Sequence, residues 1–269
     1  MTPILQNRAA FLALHKQGAP FIIPNPWDIG SARILAGLGF KALATTSSGF
    51  ACTLGRDDYE ITQGEALPHA ASLASSVDIP VSADLENGFG GTPKTVAETI
   101  RMAVSSDLCG GSIEDTTGDE ANPIYNLDLS VQRIEAAVRA AKGGFVLTAR
   151  ADGLLHGVTD LSNIIERLQA FEAAGADVLY APGLPDLDAV YKVCSAVTKP
   201  VNVLIYGGLT QHTTNDFAQA GAARLSVGGR FAFNAYATLA DTASMLKDGK
   251  FGLLSENAAH INIVQKFLK

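Results

Sequence analysis

The 269-residue sequence is poor in cysteine, in tryptophan and in positive charge. It holds three cysteines and one tryptophan, and 20 Lys+Arg stand against 27 Asp+Glu, a net charge of −7. Cys52, Cys109 and Cys194 are widely separated and none belongs to a C-x-x-C pair. That spacing argues against a zinc site or a dithiol redox motif, and a sparse, odd count suits a reducing cytoplasm. Lys and Arg form no cluster, so the electrostatic footprint of a nucleic-acid binder is missing. No run of about 18 apolar residues occurs, which argues against a membrane-spanning helix. The first twenty residues carry only the short apolar patch Phe11–Leu14, without the apolar core of a signal peptide. A cytoplasmic protein with no nucleic-acid or membrane partner is expected.

Apolar residues are plentiful, at 47%, enough for a sizeable core. Short β-branched or apolar runs alternate with amphipathic stretches of helical length. Strands are expected at Phe21–Pro24, Ala42–Thr45, Val81–Ala83, Gly111–Glu114, Phe145–Thr148, Val178–Tyr180, Val201–Ile205 and Arg224–Val227. Helices are expected to begin near Pro26, Gln63, Pro93, Asp128, Asp160, Asp186, Thr210 and Gly229, several with Pro or Asp in the first turn. Eight β-α units predict an α/β fold, a (β/α)8 TIM barrel formed by residues 1–269 as one domain. A doubly wound sheet fits less well, because no G-x-G-x-x-G follows the first strand. Helical segments Asn7–Lys16 and Ser255–Lys269 flank the barrel, and residues 250–269 read as a helical extension. In that extension Leu253, Leu254, Ile261, Val264 and Leu268 are apolar enough to call for a partner surface.

In such a barrel, functional side chains stand at the carboxyl ends of the strands. Asp84, Glu86 and Glu114 stand there on two neighbouring strands. Like charges so close are costly unless a cation neutralises them. Oxygen-only ligands suit Mg²⁺ or Mn²⁺; ordinary acids paired with Arg or Lys are the alternative. Arg150 closes the fifth strand and could grip a substrate carboxylate, or simply pair with Asp152 or Glu114. Ser47-Ser48-Gly49-Phe50 could present amides and a hydroxyl to an anion, or serve as a plain turn. Asp58, in Gly55-Arg56-Asp57-Asp58, could act as a base or belong to a solvated loop. Glycine pairs Gly207-Gly208 and Gly228-Gly229 leave open a phosphosugar barrel. His15, His69, His212 and His260 read as surface residues of helices, while His156 could reach the barrel mouth. Cys52 reads as a small apolar side chain.

Together, several segments carry a resemblance: Thr46-Ser47-Ser48-Gly49-Phe50, Leu54-Gly55-Arg56-Asp57-Asp58, Val81 to Gly90 with its D-x-[DE]-x-G-[FY]-G pattern, Ser112-Ile113-Glu114-Asp115, and Thr148-Ala149-Arg150-Ala151-Asp152. In this order they resemble the isocitrate lyase / phosphoenolpyruvate mutase superfamily. The resemblance implies a (β/α)8 barrel whose terminal helices are exchanged between subunits, in a homodimer or homotetramer. It implies Mg²⁺ held by Asp84, with Glu86 and Glu114 acting through water. A small 2-oxo or 2-hydroxy carboxylate would rest on Ser47, Ser48, Gly49 and Phe50, with Arg150 on its carboxylate and Asp58 near the reacting centre. The chemistry it implies is bond cleavage beside a pyruvyl unit, through an enolate.

Departures from the family narrow that chemistry. The isocitrate and methylisocitrate lyases carry K-K-C-G-H after the fourth strand; here Asp115 to Pro123 has no Cys, Lys or His. Asn122 matches a residue of the phosphonate enzymes, but Asp119 and Glu120 would repel a phosphonate dianion. The expected activity is therefore a Mg²⁺-dependent C–C lyase, oxaloacetate decarboxylase-like, with Tyr206 as a pocket residue able to donate a proton. A phosphonopyruvate mutase or hydrolase is the second reading, and a non-catalytic barrel that binds metal and oxo acid is the third.

Overall fold

Short Val-, Ile-, Leu- and Ala-rich segments pair side by side, every pair parallel. They are β1 (Phe21–Ile23), β2 (Leu43–Ala44), β3 (Val81–Asp84), β4 (Gly110–Glu114), β5 (Val146–Arg150), β6 (Val178–Tyr180), β7 (Val201–Leu204) and β8 (Arg224–Ser226). The eight strands run in the order β1-β8-β7-β6-β5-β4-β3-β2. The structure is a computed structural model, and it describes residues 3–252, 254 and 258–268. Pro24 has no N–H to donate, so the seam between β1 and β2 is joined differently. The Ala44 N–H donates to Pro24 O at 3.1 Å, and Asn25 Nδ2 donates to Thr45 O at 3.2 Å. Asn25 Oδ1 in turn accepts from the Val227 and Gly228 amides at 3.0 and 2.9 Å. One side chain thus staples β1 to both neighbours, and the sheet forms a nearly closed (β/α)8 barrel.

Around it lie α1 (Pro3–Leu14), α2 (Ile29–Gly37), α3 (Ser47–Thr53), α4 (Gln63–Ser75), α5 (Pro93–Val104), α6 (Leu127–Ala140), α7 (Leu161–Ala173), α8 (Leu187–Ala196), α9 (Thr214–Gln219), α10 (Arg230–Lys247) and α11 (Ala258–Phe267). Capping sets several starts. The helix expected near Pro26 begins at Ile29, because Asp28 accepts from the Ser31 amide at 2.6 Å while Ser31 Oγ accepts from the Asp28 amide. Near Thr210 the chain makes a 3₁₀ turn, and α9 starts only after Thr213 and Asp216 cap each other. Ser47 to Phe50, read above as an anion cradle or a plain turn, opens α3, with Thr46 Oγ1 accepting from the Gly49 amide at 3.3 Å. Of the expected segment Ser255–Lys269, positions 255–257 and 269 lie outside the described residues, as does Leu253.

The core has two parts. Outward-facing strand residues such as Leu43, Val81, Leu147 and Val203 pack against the helices. Inside the barrel, Phe11 of α1 meets Ile23, Ala42, Val146 and Val178 and plugs the amino-terminal end. Arg8 fastens that plug, donating to Leu108 O at 3.1 Å and to Val104 O at 2.7 Å. His15 is a correction to the expected surface position. It is buried beside Phe11 and Phe21, its Nδ1 2.9 Å from Phe11 O, because the chain leaves α1 directly beneath the barrel. Above the plug the inner faces turn polar, with buried Ser82, Thr148, Asn202, Arg224 and Ser226. Alternation along a strand puts Asp84 above Ser82 and Arg150 above Thr148. No helix among the described residues is long and apolar enough to cross a membrane.

If Phe11 is the plug, Phe11→Ala leaves a cavity under the polar floor. Urea unfolding should show a loss of about 3–5 kcal/mol. A loss below about 1 kcal/mol would show that α1 does not carry the barrel's lower core.

Candidate active site

The carboxyl ends of the strands enclose a cavity of about 180 Å³. That is below the ~300–1,000 Å³ typical of sites for drug-sized ligands, and it suits a small acid. Asp58, Asp84, Glu114, Arg150, Ser47 and Ser48 all line it. Asp84, the last residue of β3, is the most connected. Its Oδ2 accepts from the Ser47 amide and faces the Ser47 hydroxyl, both at 3.2 Å. Its Oδ1 accepts from Ser112 Oγ at 3.4 Å and from Arg150 Nη1 at 3.2 Å. Ser47 Oγ also lies 2.9 Å from Asp58 Oδ1; with one proton it serves one carboxylate at a time.

Arg150 is held by three acids. Asp152 takes its Nε at 3.1 Å and its Nη2 at 2.7 Å, an arrangement that fixes the guanidinium plane. Nη1 faces both Asp84 and Glu114, the latter at 2.9 Å. Glu114 Oε1 accepts from Thr116 Oγ1 at 2.7 Å. Around this group stands a rigid frame. Buried Asp115 accepts from the Asp152 amide at 2.8 Å and pairs with Arg167 at 3.1 Å. Buried Arg133 donates to the carbonyls of Asn87 and Gly90 and stacks on the Tyr125 ring, which pins the loop after β3. Tyr59 (φ 67°) and Glu86 (φ 48°) both hold left-handed backbone at the mouth, a conformation non-glycine residues rarely adopt.

The charges do not balance. Asp58, Asp84, Glu86, Glu114 and Asp152 crowd one mouth, and Arg150 is the cation that touches three of them. Burial, then the neighbouring acids Asp84, Asp58 and Glu114, push the Glu86 carboxyl up to about 9. Burial also raises Glu114 and Asp152 despite the Arg150 charge, and burial and Asp84 raise Asp58. Arg150 is held above its ordinary value: burial opposes its charge, but Asp152, Glu114 and Asp84 outweigh that. Burial and the Glu114 charge raise the Tyr59 phenol, which hydrogen-bonds Glu114, so it stays protonated.

The structure gathers most of the expected residues and displaces others. Gly49 lies behind the cavity wall; its amide serves the α3 cap, and a Cβ there would sit 2.6 Å from Thr46 Cγ2. Phe50 turns away from the cavity and stacks on His69, ring centroids 3.7 Å apart, because helical α3 sends its side chain to the outer wall. Tyr206 is half-exposed on the rim under the Arg230 guanidinium, 4.9 Å from its centroid, and does not line the cavity. His156 is exposed on the 3₁₀ turn after β5. Glu86 is buried beside the cavity, outside its lining. Sequence reasoning missed Tyr59, Asn202, Arg224 and Ser226, all of which line the cavity. The last three had a signal: polar residues alternating with Val203 and Leu225 in otherwise apolar strands.

The phosphoenolpyruvate phosphomutase family profile matches residues 11–247. The chain belongs to that family. A Burkholderia cenocepacia crystal structure, provisionally described as a lyase/mutase, is 47% identical with a TM-score of 0.94, covering 99% of this chain and 97% of that one. Oxaloacetate decarboxylase from Pseudomonas savastanoi pv. phaseolicola is 28% identical over 93% of this chain and 87% of its own length. The Escherichia coli 2-methylisocitrate lyase is 28% identical over 78% of this chain and 74% of its own. Oxaloacetate and 2-methylisocitrate, for which these last two relatives are named, are both small acids.

Among the described residues, no three His, Cys, Asp or Glu side chains converge as a ready cage for a bare ion. Asp84, Glu86 and Glu114 nevertheless fit a hydrated Mg²⁺ or Mn²⁺. The donors are all oxygen, the mouth has excess negative charge, and Glu86 Oε1 is buried with no hydrogen-bond partner.

In the metal-free protein, Glu86 titrates near 9 when folded and near the ordinary ~4.3 when unfolded. Between those values the folded chain keeps a proton that the unfolded chain has lost, so stability falls as pH rises. Glu86→Gln removes that penalty. With chelator, its melting temperature should exceed wild type by at least about 3 °C at pH 8.5, roughly 1 kcal/mol at this length, and by less at pH 5.5. A gap that does not widen with pH contradicts the burial of an ionisable Glu86.

Proposed function

We propose that this protein is a divalent-metal-dependent lyase that cleaves a C–C bond of a small 2-oxo or 2-hydroxy carboxylate through an enolate. The observation that carries the reading is the small cavity in which Asp84 and Glu114 face one fixed guanidinium, with Asp58 in the same lining. The oxaloacetate decarboxylase likeness makes oxaloacetate the first substrate to try.

In this reading Asp84 would hold Mg²⁺, with Glu86 and Glu114 acting through water. The ion would supply positive charge to the oxygen on which the enolate charge develops. Arg150 binds the substrate carboxylate. Asp152 fixes its Nε and Nη2, while Nη1 lies 3.2 Å from Asp84 and 2.9 Å from Glu114, so the substrate carboxylate would share the guanidinium with those acids. Ser47 and Ser48 line the opposite wall and orient the acid through their hydroxyls. Asp58, raised by burial and by Asp84, lines the cavity as the carboxyl that would take up and return a proton. Tyr59 reaches Glu114 with its phenol and is better placed than Tyr206 to deliver a proton. Tyr59 and Leu155, half-exposed members of the cavity lining, limit water there.

Phosphonate chemistry is the weaker reading. The segment after β4 folds back through a Thr116–Ile124 bridge, and its tip carries Asp119 and Glu120 with no cation from 115 to 123. The reading also includes a homodimer or homotetramer. On α10 only Ala232 is buried, while Phe231, Phe233 and Leu239 are exposed, as are Phe251 and Leu254 beyond it and Ile261 on α11. A second copy of the chain would cover this face.

Purified protein should release pyruvate or another oxo acid from oxaloacetate or a malate-type 2-hydroxy dicarboxylate with Mg²⁺, and none with chelator. Asp84→Ala should lower that turnover more than about 100-fold while the protein stays folded. Retained activity in Asp84→Ala would overturn the metal assignment. Phosphate release from phosphonopyruvate, without C–C cleavage, would select the second reading. Ligand-induced stabilisation without product would leave a binding barrel.

A further inference from the structure

Beneath the acidic mouth sits a cation with no carboxylate partner among the described residues. Arg224, on the inner face of β8, is 5% exposed. Its Nε donates to Asn202 Oδ1 at 2.9 Å and its Nη2 to Thr148 Oγ1 at 3.1 Å. Its Nη1 lies 3.2 Å from His15 Nε2. A guanidinium only donates, so His15 Nε2 accepts and its proton is on Nδ1, facing Phe11 O. His15 is therefore neutral, and so are Asn202 and Thr148. Arg150 is answered by three carboxylates, whereas Arg8 and Arg133, like Arg224, hydrogen-bond only neutral groups; of these three, Arg224 is the one that lines the cavity. A buried charge with only neutral partners is costly, and it invites an anion.

Arg224 is not sealed away. It lines the floor of the same cavity that Asp84, Glu114 and Arg150 line above. Thr148 and Arg150 are two apart on one face of β5, so Arg224 stands one strand layer, about 7 Å, below the Arg150 level. Of its five N–H groups three are engaged, which leaves two for a ligand.

We propose that Arg224 is a second anion receptor and that the ligand of this cavity is a short dianion, its far carboxylate on Arg224. The inference rests on the lyase reading for the near end of the ligand. It also narrows that reading, because it excludes oxaloacetate decarboxylation, in which the far carboxylate is the one that departs. Negative charge must leave a carboxylate that departs as CO₂, and a fixed cation opposes this. The group on Arg224 is thus one that stays charged through cleavage, as in a dicarboxylate split between its two ends.

A merely structural Arg224 would be a strut joining α1, β5, β7 and β8. Asn202→Asp separates the two roles, because it puts an isosteric carboxylate 2.9 Å from Arg224 Nε and fills the anion site from within. Calorimetric titration with Mn²⁺ present would compare pyruvate with two dianions, oxaloacetate and 2-oxoglutarate. Wild type should bind at least one dianion at least about tenfold more tightly than pyruvate. Asn202→Asp, with an unchanged or raised melting temperature, should cut that preference below about threefold. Arg224→Gln should lose the preference too. A wild-type protein without the preference, or a folded Asn202→Asp that keeps it, overturns the proposal. Failure of pyruvate to bind while the dianion effect persists would overturn the lyase reading and leave Arg224 as the receptor.

Discussion

Crowded, largely buried negative charge governs this molecule's active end. Asp58, Asp84, Glu86, Glu114 and Asp152 share one barrel mouth, and Arg150 answers three of them. Such a cluster is tolerated in two ways: some members keep a proton, or a cation enters. The raised carboxyls of Glu86 and Glu114 show the first solution at work in the bare chain. The orphaned Oε1 of Glu86 marks where the second would act. A site poised between the two is suited to chemistry in which negative charge develops on a bound acid.

The rest of the fold keeps that cluster from relaxing. Asp115 and Arg167 fix the Asp152 backbone, and Asp152 fixes Arg150. Arg133 pins the loop after β3, on which Glu86 keeps its left-handed backbone. Asn25 closes the barrel where Pro24 cannot, and it sets the β8 amides around the cavity. Below, Phe11 seals the barrel, and between plug and mouth Arg224 is held in a shell of neutral partners. Two cations one layer apart, with acids at the upper level, give the cavity a polarity along its axis.

Much of this was legible in the residues, for definable reasons. Asp84, Glu114 and Arg150 end strands, and strand ends in a barrel converge, so their meeting needed only the right strand count. Ser47 and Asp58 were legible through their order in the chain and the family likeness. Phe50, Gly49 and Tyr206 were misplaced because the direction of a side chain depends on local backbone. Small polar residues at Ser47–Gly49 read as an anion cradle or a plain turn, yet Thr46 caps a helix there that sends Phe50 to His69. Tyr59 reaches the mouth through a left-handed residue inside an apparently solvated loop, which no periodicity reveals. His15 looked like one more polar helix residue, because only the assembled barrel shows that α1 lies under its floor.

The central claim is that the acidic mouth takes a divalent cation in exchange for protons. Chelator-treated protein titrated calorimetrically with Mg²⁺ or Mn²⁺ near pH 7.5, in two buffers of different ionisation enthalpy, tests this directly. The account predicts saturable binding with net proton release, as the raised carboxyls ionise around the ion. Absence of binding at millimolar metal, or binding with no proton released, would contradict it.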